Sequence, residues 1–462
     1  MTLTLEEKFL WDCARHWRNP EHLSLPENLN WNEVSRVGVF NRMATLLWEV
    51  LDARGWWEQL PPEAQAEMEV SLARLRNNAV WMSTALADYL RRGDECGIES
   101  VVIKGLSISS QIYGNLAMRP GGDIDILVRK TRVQECMDVL AQMGIGAYWP
   151  NLMDDRYYTR HHLHQQRSTE DLKIWFEIHW ALDHPYTLLT IDYEAMLNRA
   201  RPGELLGCPV TELALPDLLL SLAVHLVKHA IYLPSTYARP DLARAILADG
   251  MLMYYVDIAE TIKVRGHELD WDRGVPTALI RLAHETGTVD IFGSVLRVCQ
   301  TLLETPPPLP CTSGQARISG QATPDRVTDA LPVRGGGKVT RWAMNKMVDR
   351  EIAMYRGQES GGVWDALLFP NGALILRPIR ILETAAYFFP DGDYLHRKYD
   401  RVSAGTRIKH FFRALIQFAR FGWDSVYFAW ERFWRLKRIG FSTSMSNRLN
   451  VETFFSKRIR KS

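Results

Sequence analysis

The segment GGDIDILV, residues 121–128, places two aspartates inside what otherwise reads as a buried strand. Side chains alternate along a strand, so Asp123 and Asp125 share one face while the apolar residues between and after them share the other. A lone carboxylate is among the most costly groups to remove from water. Two carboxylates on one face repel each other unless a cation lies between them, and Mg²⁺ prefers such oxygen ligands. The pair predicts a metal site, while an edge strand facing water is the structural alternative.

The residues before this strand supply groups that bind anions. VVIKGLSISSQIYGN reads as a strand, a Lys-Gly turn and a helix, which puts the backbone of Gly105 and the side chain of Ser107 at a helix start. Lys104 and Arg119 add positive charge on either side. We expect these four residues to bind the phosphates of a nucleotide.

A second alternation of polar and apolar residues follows in KIWFEIHW, residues 173–180, with Glu177 and His179 on its polar face. The 52 positions between Asp125 and Glu177 suffice for a helix and a hairpin before the chain rejoins the sheet. Three carboxylates near a helix start suit two-metal nucleotidyl transfer. Asp123, Asp125 and Glu177 are the expected catalytic and metal-binding residues. His179 is expected to orient Glu177 within the nucleotide-binding site.

Together these motifs resemble a known family. VVIKGLSISSQIYGNLAMRPGGDIDILV, followed later by EIHW, looks like the uncharacterised nucleotidyltransferase family of bacteria and, more distantly, the abortive-infection nucleotidyltransferase toxins. Both belong to the DNA polymerase β-like superfamily. The resemblance covers about residues 90–265 and implies the minimal nucleotidyltransferase fold, an NTP such as ATP as substrate, and Mg²⁺ or Mn²⁺ as cofactor.

The periodicity along the chain predicts an α+β protein, with a mixed sheet and flanking helices embedded in mainly helical N- and C-terminal regions. The expected divisions are an N-terminal helical region at 1–90, a nucleotidyltransferase core at 91–205, a helical domain at 206–304, a flexible linker or loop at 305–340 and a C-terminal helical region with a basic tail at 341–462. The RGGGK segment of the linker lacks the preceding strand and following helix of a P-loop.

Positive charge is concentrated at the C-terminal end, where residues 405–462 hold thirteen Lys and Arg against three acidic residues. Residues 409–437 predict a helix that is apolar and aromatic around most of its circumference. Such a helix is either buried in a C-terminal bundle or, with the basic tail, a docking surface for a protein partner or a membrane surface. Basic and aromatic groups would also suit RNA.

Two groups of histidines leave alternatives open. His161, His162 and His164 in RHHLHQQR either bind zinc or belong to a polar strand that flanks the active cleft. His225 and His229 lie one helical turn apart, as a metal pair would, but no third ligand is evident. They are otherwise structural or line a cleft between domains.

The six cysteines form no CxxC pair, the N-terminus lacks a signal peptide and no stretch is apolar enough to span a membrane, so we expect a cytoplasmic protein. The predicted function is metal-dependent transfer of NMP from an NTP to an acceptor, with release of pyrophosphate. The acceptor is RNA, a peptide or protein, or a small molecule. The alternatives are a catalytically silent nucleotidyltransferase-like scaffold or binding module, and a DxD glycosyltransferase.

Overall fold

The computed structural model describes residues 3–119, 121–147, 155–185, 187, 189–229, 242–248, 250–269, 271–272, 275–305, 387–390 and 392–438. Nearly all of the predicted linker, including RGGGK, lies outside the described residues. The same holds for the first part of the predicted C-terminal region and for the basic tail.

Helices dominate the described part of the chain. The α-helices are α1 (Leu5–His16), α2 (Trp31–Phe40), α3 (Ala44–Ala53), α4 (Pro62–Glu95), α5 (Leu106–Ile108), α6 (Val133–Gln142), α7 (Asp155–His161), α8 (Tyr193–Arg199), α9 (Leu215–His229), α10 (Leu242–Ala248), α11 (Leu252–Arg265), α12 (Thr277–Thr286), α13 (Val289–Leu303), α14 (Gly392–Tyr399) and α15 (Ala404–Arg438). A π-helical turn, Ser109–Tyr113, continues α5.

The strands are β1 (Val101–Val102), β2 (Ile124–Leu127), β3 (His164–Ser168), β4 (Trp175–His179), β5 (Arg201–Leu205), β6 (Cys208–Glu212) and the short pair β7 (Trp271–Asp272) and β8 (Val275–Pro276). The first six form one sheet in the order β3-β4-β2-β1-β6-β5. The β2/β4 and β1/β6 pairs are parallel and the other three pairs are antiparallel. This mixed sheet with flanking helices confirms the predicted α+β class.

The sheet has two distinct faces. On one face Ile124, Ile126, Phe176 and Ile178 pack in a core that includes residues of α4 and α6. On the other face Leu127 packs in a larger core with the N-terminal helices and with α9, α11 and α13. The alternation read from DIDILV and KIWFEIHW therefore holds, because burying the apolar face turns the charged residues of both strands toward the opposite side.

The sheet also contains a hairpin that the sequence reading did not anticipate. Strands β5 and β6 are joined by Leu206 and Gly207, which have φ values of 56° and 72°. Two positive φ angles are typical of a two-residue hairpin turn. Because Thr211 of β6 lies beside Val101 of β1, the sheet continues beyond residue 205.

The C-terminal helix α15 is not enclosed by the described residues. Phe412, Ile416 and Trp423 are 56%, 65% and 73% exposed. The helix contacts α7 near its own middle, where Asp424 Oδ2 lies 2.8 Å from His161 Nε2 and 3.3 Å from Arg160 Nη1. Within the described part of the chain, no helix combines the length and the apolar character needed to cross a membrane.

Candidate active site

Strand register brings the polar residues of three strands into one row. In the parallel pair β2/β4, Asp125 lies opposite Glu177. In the antiparallel pair β3/β4, Gln166 lies opposite Glu177 and His164 lies opposite His179. Directly opposed residues point to the same face of a sheet. The central face of the sheet thus gathers two acids, two histidines and an amide.

The three predicted carboxylates converge. Asp123, Asp125 and Glu177 each offer an oxygen, and these oxygens lie within 4.8 Å of one another. Asp125 is 1% exposed, whereas the side chain of Asp123 is 36% exposed at the edge of the site. The cluster is therefore buried at Asp125 and accessible to solvent at Asp123.

Lys104 supplies the nearest fixed positive charge. Its Nζ lies 2.9 Å from Asp125 Oδ1 and 4.0 Å from Asp123 Oδ2. Burial would lower the pKa of Lys104, but the negative charges of Asp125, Asp123 and Glu177 outweigh burial and hold this pKa above its ordinary value. Lys104 is therefore charged, and it neutralises part of the carboxylate cluster.

His179 joins two of the acids. Its Nε2 lies 2.9 Å from Asp125 Oδ1 and 3.2 Å from Glu177 Oε2, and its Nδ1 lies 3.3 Å from the carbonyl oxygen of Ala181. Burial works to lower the pKa of His179, yet its hydrogen bonds with Asp125 and Glu177 raise it above the ordinary value. His179 therefore contacts Glu177, and its orienting role stays a prediction.

The cluster has the properties of a cation site. Partial burial and the charge of Asp125 raise the pKa of Asp123 to about 6. The Oδ2 atom of Asp125 is buried and has no hydrogen-bond partner among the described residues. A buried carboxylate oxygen without a donor is costly, and a divalent cation is a suitable partner for it. The acidic groups of this site could therefore hold a metal ion.

Two glycines let the backbone pass close to Asp123. A Cβ atom on Gly121 would lie 2.9 Å from the carbonyl oxygen of Asp123, a distance that side-chain carbons do not tolerate. Gly105 has a φ of 60°, in the left-handed region that favours glycine, and it precedes α5. Ser107 is buried in the first turn of that helix. The turn from Lys104 to Ser107 therefore lies beside the carboxylates, as the sequence predicts.

Arg119 lies in a separate ion pair. Its Nε lies 2.6 Å from Asp257 Oδ2, and Tyr113 Oη donates a hydrogen bond of 3.0 Å to Asp257 Oδ1. Arg119 and Asp257 are each 3% exposed. The structure thus joins Arg119 to α11 rather than to the carboxylate cluster.

A small cleft opens between the sheet and α9. Its lining includes Lys104, His179, Ser221, His225 and Lys228, together with apolar residues. Burial and the charge of Lys104 lower the pKa of Lys228. His225 stacks at 5.2 Å from the ring of Tyr254, and the side chain of His229 lies outside the described residues. The cleft thus lies between the polar face of the sheet and α9.

The histidine-rich segment divides between two surroundings. His161 contacts Asp424 of α15, as described above. The ring of His162 makes edge-to-face contacts with the rings of His164 and His184, with ring centres 4.6 Å and 4.8 Å apart. The ring of His164 lies 4.7 Å from that of His179. The prediction of a polar strand beside the cleft therefore holds for His164, which lies in β3.

The sequence did not predict the contact of Gln166 with Glu177. Gln166 Nε2 donates a hydrogen bond of 2.6 Å to Glu177 Oε1. Alternation along HLHQQRS would have placed Gln166 and His164 on one face of a strand. The sequence alone could not identify which strand they pair with.

Carboxylates on adjacent parallel strands, close to a glycine turn at a helix start, are an arrangement that suits metal-assisted phosphoryl and nucleotidyl transfer. Residues 27–304 match the family described as "Uncharacterised nucleotidyltransferase", and the chain belongs to this family. The match extends beyond the resemblance seen in the motifs, since it begins before α2 and ends after α13. No significant match is found among curated proteins or among solved structures. The similarity to abortive-infection toxins stays a prediction.

Proposed function

We propose that this protein transfers NMP from an NTP to an acceptor and releases pyrophosphate, using a divalent metal ion. The observation that carries the proposal is the convergence of Asp123, Asp125 and Glu177 within 4.8 Å of one another beside Lys104. Family membership supports transfer of nucleotides in general. The carboxylate geometry supports the metal dependence.

Asp123, Asp125 and Glu177 would hold Mg²⁺ or Mn²⁺. When bound, such ions neutralise the charge of a triphosphate and lower the pKa of an attacking hydroxyl in an in-line displacement. The chain's own contribution is to fix two of the three carboxylates. Gln166 and His179 hold Glu177, and Lys104 and His179 hold Asp125.

The remaining residues of the site would bind and orient the nucleotide. The backbone at Gly105 and the hydroxyl of Ser107 would hold the terminal phosphates, because they lie in the turn next to the carboxylates. Lys104 would balance the charge of the triphosphate. The buried pair of Arg119 and Asp257 supports a positioning role for Arg119, which would fix the segment leading to Asp123.

The cleft beside α9 would receive part of the nucleotide or acceptor. Burial and the charge of Lys104 lower the pKa of Lys228, and the negative charge of a phosphate group placed there would counter both effects. The acceptor would be a hydroxyl, phosphate or amine on RNA, on a peptide or protein, or on a small molecule. The exposed aromatic face of α15 would bind a protein partner or a membrane surface.

The proposal is tested by incubating the purified chain with α-labelled NTPs, Mg²⁺ or Mn²⁺, and separate pools of RNA, protein and small molecules. We expect label to enter one pool, and Asp125→Asn to reduce the rate by at least about 100-fold. Asp171→Asn is the matched control, because Asp171 is an exposed aspartate in the loop between β3 and β4. Equal nucleotide binding by both variants without transfer by the unmodified chain would favour the scaffold alternative.

A further inference from the structure

We infer a second metal site, for a transition-metal ion of the zinc class, formed by His164 Nδ1, Glu177 Oε2 and His179 Nε2. One ligand atom from each of these residues lies within 4.8 Å of the other two. The site is on the same face of the sheet as the carboxylate cluster and shares Glu177 with it. It differs from the predicted zinc group of His161, His162 and His164, because His161 pairs with Asp424.

The spacing of the ligand atoms fits an ion. Glu177 Oε2 lies 3.4 Å from His164 Nδ1 and 3.2 Å from His179 Nε2. In a tetrahedral zinc site with bonds of about 2.0–2.1 Å, neighbouring ligand atoms are about 3.3 Å apart. These two separations are therefore close to those of two ligand atoms that share an ion. The 3.4 Å separation is also too long for a good hydrogen bond.

The groups around the ligands hold them for such a role. Gln166 Nε2 donates to Glu177 Oε1 at 2.6 Å, which leaves Oε2 for the ion. His179 Nδ1 lies 3.3 Å from the carbonyl oxygen of Ala181, so Nδ1 can keep a proton. In the ion-free protein Nε2 is hydrogen-bonded to Asp125 and Glu177, and on binding an ion it would lose its proton and become the ligand atom. A carbonyl behind a histidine and an amide behind a carboxylate are typical outer partners of metal ligands.

His164 supplies the second independent observation. Its Nδ1 atom is buried and makes no hydrogen bond with any described residue. Glu177 Oε2, at 3.4 Å, lies beyond the usual hydrogen-bond range, and a buried ring nitrogen without a hydrogen bond is costly. An ion between His164 and Glu177 would satisfy it.

The ligand set selects the class of ion. Imidazole nitrogens suit zinc and neighbouring transition metals, whereas Mg²⁺ favours oxygen ligands and retains water. Two histidines and one glutamate leave at least one position for water or a substrate oxygen, as in catalytic rather than closed structural zinc sites. The inference concerns ion binding and does not require nucleotidyl transfer to occur.

The test uses the full chain, freed of metal by a chelator and titrated with Co²⁺ as a spectroscopic substitute for Zn²⁺, in excess Mg²⁺ and without nucleotide. We expect one Co²⁺ per chain with intense visible absorption typical of a four-coordinate site, which Mg²⁺ does not displace. His164→Ala should weaken Co²⁺ binding at least about 10-fold, the smallest loss expected even from an outer partner. His184→Ala, which changes a neighbouring histidine outside the ligand set, should leave the affinity unchanged.

Gln166→Leu gives a second measurement if His164→Ala does not fold, and should weaken Co²⁺ binding about 10-fold to 100-fold. The inference is overturned if the unmodified chain lacks this absorption, or if the His164 and His184 variants bind Co²⁺ equally well. Because no nucleotide is present, a protein that binds Co²⁺ as expected but transfers no label would refute the proposed function and leave this site standing.

Discussion

The ammonium group of Lys104 lies 2.9 Å from Asp125 Oδ1, on the face of the sheet where a divalent ion would also contact Asp125. Both side chains are largely withdrawn from water, with 14% and 1% of their surfaces exposed. A lysine beside a metal-binding carboxylate reduces the charge that the site carries before an ion arrives. An ion bound there would share Asp125 with Lys104, so each would affect the other.

Replacing Lys104 with methionine tests this relationship. Lys104→Met leaves a buried carboxylate with less compensation, so the metal-free protein should lose about 3 kcal/mol of unfolding free energy, since His179 still contacts Asp125. Added Mn²⁺ should restore most of this loss, because the ion replaces the missing charge. Urea unfolding with and without Mn²⁺ measures both effects. A loss that Mn²⁺ does not reduce would show that the ion does not bind at Asp125.

The two neighbouring glycines of GGDIDILV should respond differently to alanine. In Gly121→Ala the new Cβ would lie 2.9 Å from the carbonyl oxygen of Asp123, so the backbone must move and Asp123 with it. We expect Mn²⁺ affinity to fall about tenfold, as when an outer partner of a ligand is lost. Gly122→Ala is the matched control, because its Cβ meets nothing within 4 Å. Equal Mn²⁺ affinities in a calorimetric titration would exclude this role for Gly121.

Metal affinity should depend on pH through Asp123. Burial and Asp125 raise the pKa of Asp123 to about 6, and a proton must leave the carboxylate before an ion binds. Mn²⁺ affinity should therefore be nearly constant above pH 6 and fall by up to about tenfold per unit below it. Calorimetric titrations between pH 5 and pH 8 measure the profile. A flat profile through this range contradicts the assignment.

Asp123→Asn provides the control for the same group. A raised carboxyl pKa in the folded state means that its contribution to stability is present at low pH and lost as the pH rises through about 6. Removing the charge should thus raise the melting temperature of the metal-free protein at pH 8 more than at pH 5. It should also weaken Mn²⁺ binding and remove the pH dependence. A larger stabilisation at pH 5 than at pH 8 would contradict the raised pKa of Asp123.

The pair formed by Arg119 and Asp257 should stabilise the fold. Asp257→Ala leaves a buried guanidinium without its partner and should cost about 3–5 kcal/mol of unfolding free energy. The double variant Arg119→Met with Asp257→Leu removes both charges, so it should recover part of that loss. Urea unfolding of the two variants checks this. If Asp257→Ala lowered the unfolding free energy by less than about 1 kcal/mol, the pair would not contribute to the stability of the fold as proposed.

The local parts of the site could be predicted from sequence because strand alternation has a period of two residues. DIDILV and KIWFEIHW each show an apolar and a polar face, and the structure buries the apolar faces in one core. This places Asp125 and Glu177 on the same side without any knowledge of the sheet order. The convergence of the carboxylates then follows from the parallel pairing of β2 with β4.

The remaining contacts depend on pairing between distant segments. Gln166 reaches Glu177 only because β3 is antiparallel to β4 in one particular register. Arg119 finds Asp257 138 positions further along the chain, so no local pattern marks it as a partner rather than a phosphate contact. The β5/β6 hairpin crosses the expected boundary at residue 205, and β5 accommodates Pro202 because it is an edge strand.

The central claim is tested most directly by following the two ends of the triphosphate. The full chain is incubated with Mn²⁺ and the mixed acceptor pools, using ATP labelled at the α-phosphate in one reaction and at the γ-phosphate in another, and the other three NTPs are tested in the same way. Nucleotidyl transfer predicts that α-label enters the acceptor and γ-label leaves as pyrophosphate, and that Asp125→Asn abolishes both. Retention of γ-label by the acceptor, or α-label transfer that is equal in Asp125→Asn and Asp171→Asn, would contradict it.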